Sequence, residues 1–237
     1  MGHLSKVILN VRSPKALADF YCRYMGMRAR ARGDTFIIGY DGIDADIELR
    51  PAEAGAYVHN NNDRYWKIGI TLPNVDIAYE QLSAAGVEVS TPRQFQDIGY
   101  MCHLADLEGF VIELLQHDFE GNRPDNAGDA KLPLGGGGRI GQITLRTSNI
   151  EEELQNYRDS MGMRLLSIQP VRTYGFTLYF LAFTAETPPD PNLEAVVNRE
   201  WLWKRPYTTL ELQCVGVSQI ASMPSSEETG FGGILFT

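Results

Sequence analysis

The feature that most constrains this chain is an internal repeat. Leu17–Arg28 reads LADFYCRYMGMR and Leu154–Arg164 reads LQNYRDSMGMR, and aligning the shared Met-Gly-Met-Arg puts Tyr21 over Tyr157. Run backward without a gap, the same offset lays Lys6–Val11 onto Gln142–Thr147. A strand, a turn, a helix and its stop therefore recur as one block, which outranks any single-residue signal in reading a fold. A weaker third copy lies between them: Lys67–Leu72, then Pro73–Asp76, then IAYEQLSAAGVEV.

Each copy expands in the same order. Ser5–Val11 is short, apolar and β-branched, the pattern of a buried strand. Ser13 reads as the N-cap and Pro14 as the first residue of a helix over Lys15–Tyr24, whose Leu17, Phe20, Tyr21 and Tyr24 form one stripe. Gly26 ends it. Strands follow at Arg28–Arg32, Thr35–Tyr40 and Asp44–Arg50, separated by Gly-Asp and Asp-Gly turns. The second copy runs from a strand at Trp66–Leu72 through a helix ending at Gly86 to strands at Val87–Ser90, Gly99–Ala105 and Phe110–Gln116. Asp106–Gly109 is the turn between its last two strands. The third begins at Arg139, with a helix over Ile150–Met161 capped by Ser148-Asn149. Its strands fall at Arg164–Pro170, Thr177–Thr184 and Tyr207–Gln213. An insertion with prolines and tryptophans, Ala185–Arg205, interrupts it, and Gly230–Thr237 reads as the first strand of a fourth copy.

Composition narrows the function classes. A net charge of −9 with no run of Lys or Arg argues against a nucleic-acid partner. No stretch reaches the ~20 apolar residues of a membrane span, and the N-terminus has no basic-then-apolar leader. Cys22, Cys102 and Cys214 are far apart with no CxxC pair, the usage of reduced thiols in a cytoplasmic protein. His117–Arg139 is polar, holds two prolines and closes on four glycines, so it reads as a linker unable to bury enough surface to order itself.

The repeated β-α-β-β-β unit, with FY…MGM in its helix and DxxG…xxEL in its last hairpin, resembles the vicinal oxygen chelate superfamily. That superfamily includes glyoxalase I, ring-cleaving dioxygenases, fosfomycin-resistance proteins and bleomycin-binding proteins. Residues 142–233 are most similar to glyoxalase I: ITLRT, YRDSMGM, TLYFLAF, TTLEL and ETGFGG come in that order. The resemblance implies an α+β fold, repeated βαβββ units forming cupped mixed sheets. It divides the chain into a first domain of two paired units (3–118), a linker (119–138) and a third unit with its final strand (139–237). It also implies a divalent metal in the cup, held by the first and last strands of each unit.

Carried over by position, the ligand places fall on Lys6 and Glu48, on Lys67 and Glu113, and on Gln142 and Glu211, with Gly233 at the head of the fourth copy. Lysine stands where histidine is usual, and an ammonium donates but does not ligate. The expectation is that Lys6, Glu48, Lys67 and Glu113 form one ionic cluster in the first cup, either structural or anchoring a polar ligand. Gln142 and Glu211 offer oxygen donors to a zinc, nickel, manganese or iron ion shared with a second chain of a homodimer; no cofactor at all is the other reading. Period-2 alternation points Arg146 into the cup beside Gln142, at the family's place for a glutathione carboxylate. Val215 and Thr229 replace its other glutathione contacts. His103 is a candidate acid-base group if it faces inward.

Two functions follow from the resemblance. One is a metal-dependent lyase or isomerase acting on a small oxygenated substrate, with Glu211 and Glu113 as its catalytic carboxylates. The other is a metal-free protein that binds or sequesters a small molecule. A ring-cleaving dioxygenase is disfavoured, because no set of two histidines and a carboxylate assembles.

Overall fold

The computed structural model describes residues 2–53, 55, 57–216, 220 and 227–237. The first unit comprises β1 (Leu4–Val11), α1 (Pro14–Met25), β2 (Arg28–Arg32), β3 (Thr35–Gly39) and β4 (Asp46–Pro51). The second comprises β5 (Tyr65–Leu72), α2 (Val75–Ala84), β6 (Arg93–Phe95), β7 (Gly99–Ala105) and β8 (Val111–Gln116). The third holds β9 (Arg139–Thr147), α3 (Ile150–Leu154), β10 (Arg164–Val171), β11 (Phe176–Ala182), α4 (Val197–Trp203) and β12 (Thr209–Val215), and β13 (Gly230–Phe236) follows. No helix is long and apolar enough to cross a membrane among the described residues.

Local chemistry sets the helix ends. Pro14 opens α1, and Gly26, at φ 70°, closes it in the left-handed region. Ser13 makes no side-chain cap; its backbone N–H donates instead to Glu108 Oε1 at 3.1 Å. Asn74 caps α2 by accepting from the N–H groups of Asp76 and Ile77. Asn149 caps α3, accepting from Glu152 N–H and donating to Glu152 Oε2 at 3.1 Å. The expected single helix over Ile150–Met161 is α-helical only to Leu154; Gln155–Ser160 widens into π-type turns. The strand expected at Val87–Ser90 makes only one bridge, Val89 to Leu104, and the edge strand forms at β6.

Two sheets result. One has five strands in the order β13-β1-β4-β3-β2, the other eight in the order β10-β11-β12-β9-β5-β8-β7-β6. The expected pairing of the first two units is thus not the one that forms. The second and third units join through an antiparallel seam, β5 against β9, while β1 takes β13 as its antiparallel neighbour. Alternation fixes which face of each first strand is buried, but it is the same in β1, β5 and β9 and does not choose the neighbour.

One continuous apolar core runs between these sheets and their helices, through Leu17, Tyr21, Ile47, Ile70, Ile143 and Leu210. Each fully buried Leu or Ile there stabilises by about 1.5–3 kcal/mol. A second cluster around Leu166, Phe180 and Trp203 lies beneath the insertion. The glycine-rich linker is ordered against expectation, because α2 supplies its hydrogen bonds. Gln81 Nε2 donates to Ala130 O and Leu132 O at 3.0 Å, its Oε1 accepts from Leu134 N–H at 2.8 Å, and Leu134 is buried.

Candidate functional site in the eight-stranded cup

The seam fixes the floor of the site. Gly69 pairs with Gln142 across β5 and β9, and Lys67 with Thr144. β8 and β12 flank the seam as parallel neighbours of β5 and β9, bringing Glu113 beside Gly69 and Glu211 beside Thr144. Lys67, Glu113, Gln142 and Glu211 therefore meet, all buried. Lys67 Nζ donates to Glu113 Oε1 at 2.9 Å and to Glu211 Oε2 at 3.1 Å. Gln142 Nε2 donates to Glu113 Oε1 at 2.7 Å, and Thr144 Oγ1 to Glu211 Oε2 at 2.7 Å. His103, opposite Glu113 on β7, places Nε2 2.9 Å from Glu113 Oε2.

This corrects the expected clusters. Lys6 and Glu48 pair at 2.8 Å in the five-stranded sheet, with Glu48 also bound to Arg50, apart from Lys67 and Glu113. The partner expected for Gln142 and Glu211 from a second chain is supplied within this one. Arg146 is buried but committed: Nε donates to Gln213 Oε1 at 3.1 Å and Nη1 to Asn60 O at 3.2 Å, and it does not line the cavity. Thr229 lies just before β13, which belongs to the other sheet, and donates to Gly55 O.

The electrostatics follow from one ammonium among two carboxylates. Burial works against charge on all three groups. Glu113 overcomes it: the Lys67 charge and the donors Lys67 and His103 hold its carboxyl well below the ordinary range, at about 2. Glu211 does not; burial lifts its carboxyl, and the neighbouring Glu113 charge adds to the lift against Lys67 and Thr144. Lys67, though burial opposes its charge, is held above its ordinary value by both carboxylates.

Above this floor opens a cavity of about 230 Å³. Its walls are mostly apolar: Phe95 on β6, Ile98 and Met101 near and on β7, Phe176 and Phe180 on β11, and Trp203 on α4. Trp203 is pinned by its indole N–H donating to Ile98 O at 3.0 Å and stacks edge-on against Phe180. The insertion thus walls the cup.

The four residues do not fit a divalent ion. Lys67 presents hydrogens, not a lone pair, to the centre where the four ligand places converge. Glu113 Oε1 is taken by Lys67 and Gln142, and Gln142 turns its amide nitrogen, not its oxygen, toward Glu113. Among the described residues, no three His, Cys, Asp or Glu side chains gather where they could hold an ion.

Comparison with known proteins agrees with this architecture. Residues 1–114 match the family model of the Glyoxalase/Bleomycin resistance protein/Dioxygenase superfamily. Glyoxalase I of Saccharomyces cerevisiae is 23% identical over 216 residues, covering 76% of this chain; the chain spans 63% of that relative's length. Glyoxalase I from Zea mays shares the fold with a TM-score of 0.67 at 16% identity, over 100% of this chain and 74% of that one. A mutant of the maize protein gives 0.69 at 18%, with the same coverage. A glyoxalase/bleomycin resistance protein/dioxygenase superfamily domain is thus matched over residues 1–114, and the whole chain, with its repeated βαβββ unit, shares the fold of glyoxalase I from Zea mays.

Proposed function

We propose that the eight-stranded cup is a small-molecule site that works without a divalent metal, and that this chain binds or sequesters its ligand there. The observation that carries this reading is Lys67: its ammonium bridges Glu113 and Glu211 at the floor of an aromatic-walled cavity. A fixed cation in that place offsets part of the carboxylate charge and occupies the centre where an ion would sit. An apolar cavity with a few convergent polar groups is the usual form of a ligand site.

A second reading has its own support. Two neighbouring carboxyls pushed in opposite directions, Glu113 down and Glu211 up, resemble the division of roles in acid-base enzymes. On this reading Glu211 moves a proton on a small oxygenated substrate, in the manner of a lyase or isomerase, with Lys67 offsetting negative charge that develops beside it.

One experiment separates the readings. The protein is loaded with zinc, nickel, manganese and iron in turn, desalted, analysed for bound metal, and assayed on 2-oxoaldehyde–thiol adducts with and without chelator. The metal-free binding reading expects no stoichiometric metal and no turnover. Turnover that survives chelator and disappears in Glu211→Gln favours the second reading. Stoichiometric metal lost in Glu211→Ala overturns both.

A further inference from the structure

The cup floor leaves a buried acceptor, Gln142 Oε1, without a partner, and that points to a ligand class. Lys67 Nζ spends two of its three hydrogens on Glu113 and Glu211 and lies 4.7 Å from the Trp66 ring, Gln142 Nε2 spends one of its two on Glu113, Thr144 Oγ1 donates to Glu211, and His103 Nε2 lies against Glu113. The acceptors are not all used. Gln142 Oε1 is buried and has no partner. Its orientation is fixed, because only the amide nitrogen can face an ionised carboxylate oxygen at 2.7 Å. Among the described residues no donor reaches Glu211 Oε1 either, so two acceptor oxygens remain beside the cavity that both residues line.

A buried acceptor left unpaired costs free energy that a donating ligand recovers. The charges agree with this, since the floor holds one ammonium and two carboxylates. The cavity, about 230 Å³, has room for a small organic molecule. Walls of Phe176, Phe180 and Trp203 favour a flat ring, and aromatic faces attract organic cations.

We infer that the cup selects a compact aromatic amine, whose ring lies among Phe176, Phe180 and Trp203 and whose N–H groups donate to Gln142 Oε1 and Glu211. This deepens the small-molecule reading and rests on it. It also differs from the polarity expected for an oxygenated anion, which would bring negative charge to a floor of one ammonium and two carboxylates.

The test is a calorimetric titration of the intact chain with four probes of one shape: benzylamine, benzyl alcohol, toluene and benzoate. The Trp203 indole resonance reports occupancy of the cup. Benzylamine is expected to bind tightest, at least tenfold above benzoate, with benzyl alcohol between them. Gln142→Met should weaken benzylamine about tenfold and leave toluene unchanged; the probe ranking on the unaltered protein decides the matter if that variant fails to fold. Benzoate binding as tightly as benzylamine, or an amine affinity indifferent to Gln142→Met, overturns the inference while the cup remains a ligand site. If none of the four moves the Trp203 resonance, the small-molecule reading falls and this inference falls with it.

Discussion

Gly69 faces Gln142 directly across the seam of the cup, and a β-carbon placed on Gly69 would stand 2.3 Å from Gln142 Cγ and 2.7 Å from its amide nitrogen. The missing side chain on one strand is what allows the amide on the other to lie flat over the floor and reach Glu113. Gly69→Ala should therefore push Gln142 off Glu113, destabilising the fold by about 1–3 kcal/mol, as overpacking does. Urea unfolding measures the loss, and an unchanged midpoint would show that Gln142 relaxes freely.

Lys67 holds two carboxylates that cannot both stay charged without it. Lys67→Met should cost about 3–5 kcal/mol near neutral pH, the penalty for stranding buried charge. The sign of its pH dependence is fixed. With Lys67, Glu113 sits at about 2, so its contribution is present above the unfolded carboxyl value and is lost only as pH falls toward 2. Without Lys67 both carboxyls rise, and stability drops as pH climbs past the ordinary carboxyl range. Denaturation at pH 4.5 and 7.5 should show a larger deficit at 7.5; equal deficits would refute the account.

Exchanging the ammonium for a ligating side chain should change the chemistry of the floor. In Lys67→His, the imidazole, Glu113, Glu211 and Gln142 become a nitrogen and oxygen donor set of the kind that holds zinc or nickel. Elemental analysis after loading should find about one ion per chain in the variant and none in the parent protein. Equal metal in both would mean that Lys67 is no obstacle.

Acid should strengthen the fold before it weakens it. Burial lifts Asp44 to about 6 despite the N–H of Ile140, and lifts Asp106 to about 6 despite Tyr21 and the turn amides. A carboxyl raised on folding binds its proton more tightly in the native state, so stability is fullest below the unfolded value and declines as pH rises through 6. Each group removes up to about 3 kcal/mol between pH 4 and 7, at about 1.4 kcal/mol per unit. Thermal midpoints should fall from pH 4 to pH 7, and Asp44→Asn should flatten that decline.

The repeat made most of the architecture legible, since Met-Gly-Met stops, caps and alternation are local. Lys67, Glu113, Gln142 and Glu211 came from the resemblance, position by position and divided between two cups, and His103 only as a candidate if its strand turned it inward. Which units share a cup was not legible, because β1 and β5 carry the same pattern and only tertiary packing distinguishes them. The cavity walls were equally hidden. Phe95 lies on a three-residue edge strand and Trp203 on a helix inside an insertion, neither with a period to read. The linker misled because composition says nothing of Gln81, a helix residue that supplies its hydrogen bonds.

The union of β1 with β13 has a consequence in time. Leu4 pairs with Phe236, and His3 and Thr237 exchange backbone hydrogen bonds of 2.6 and 2.8 Å. On a ribosome adding about 5–20 residues per second, β1 waits on the order of ten to fifty seconds for that neighbour. Throughout that interval one edge of the first sheet is open to any passing strand, and the two later units can close their own cup before the first sheet is finished.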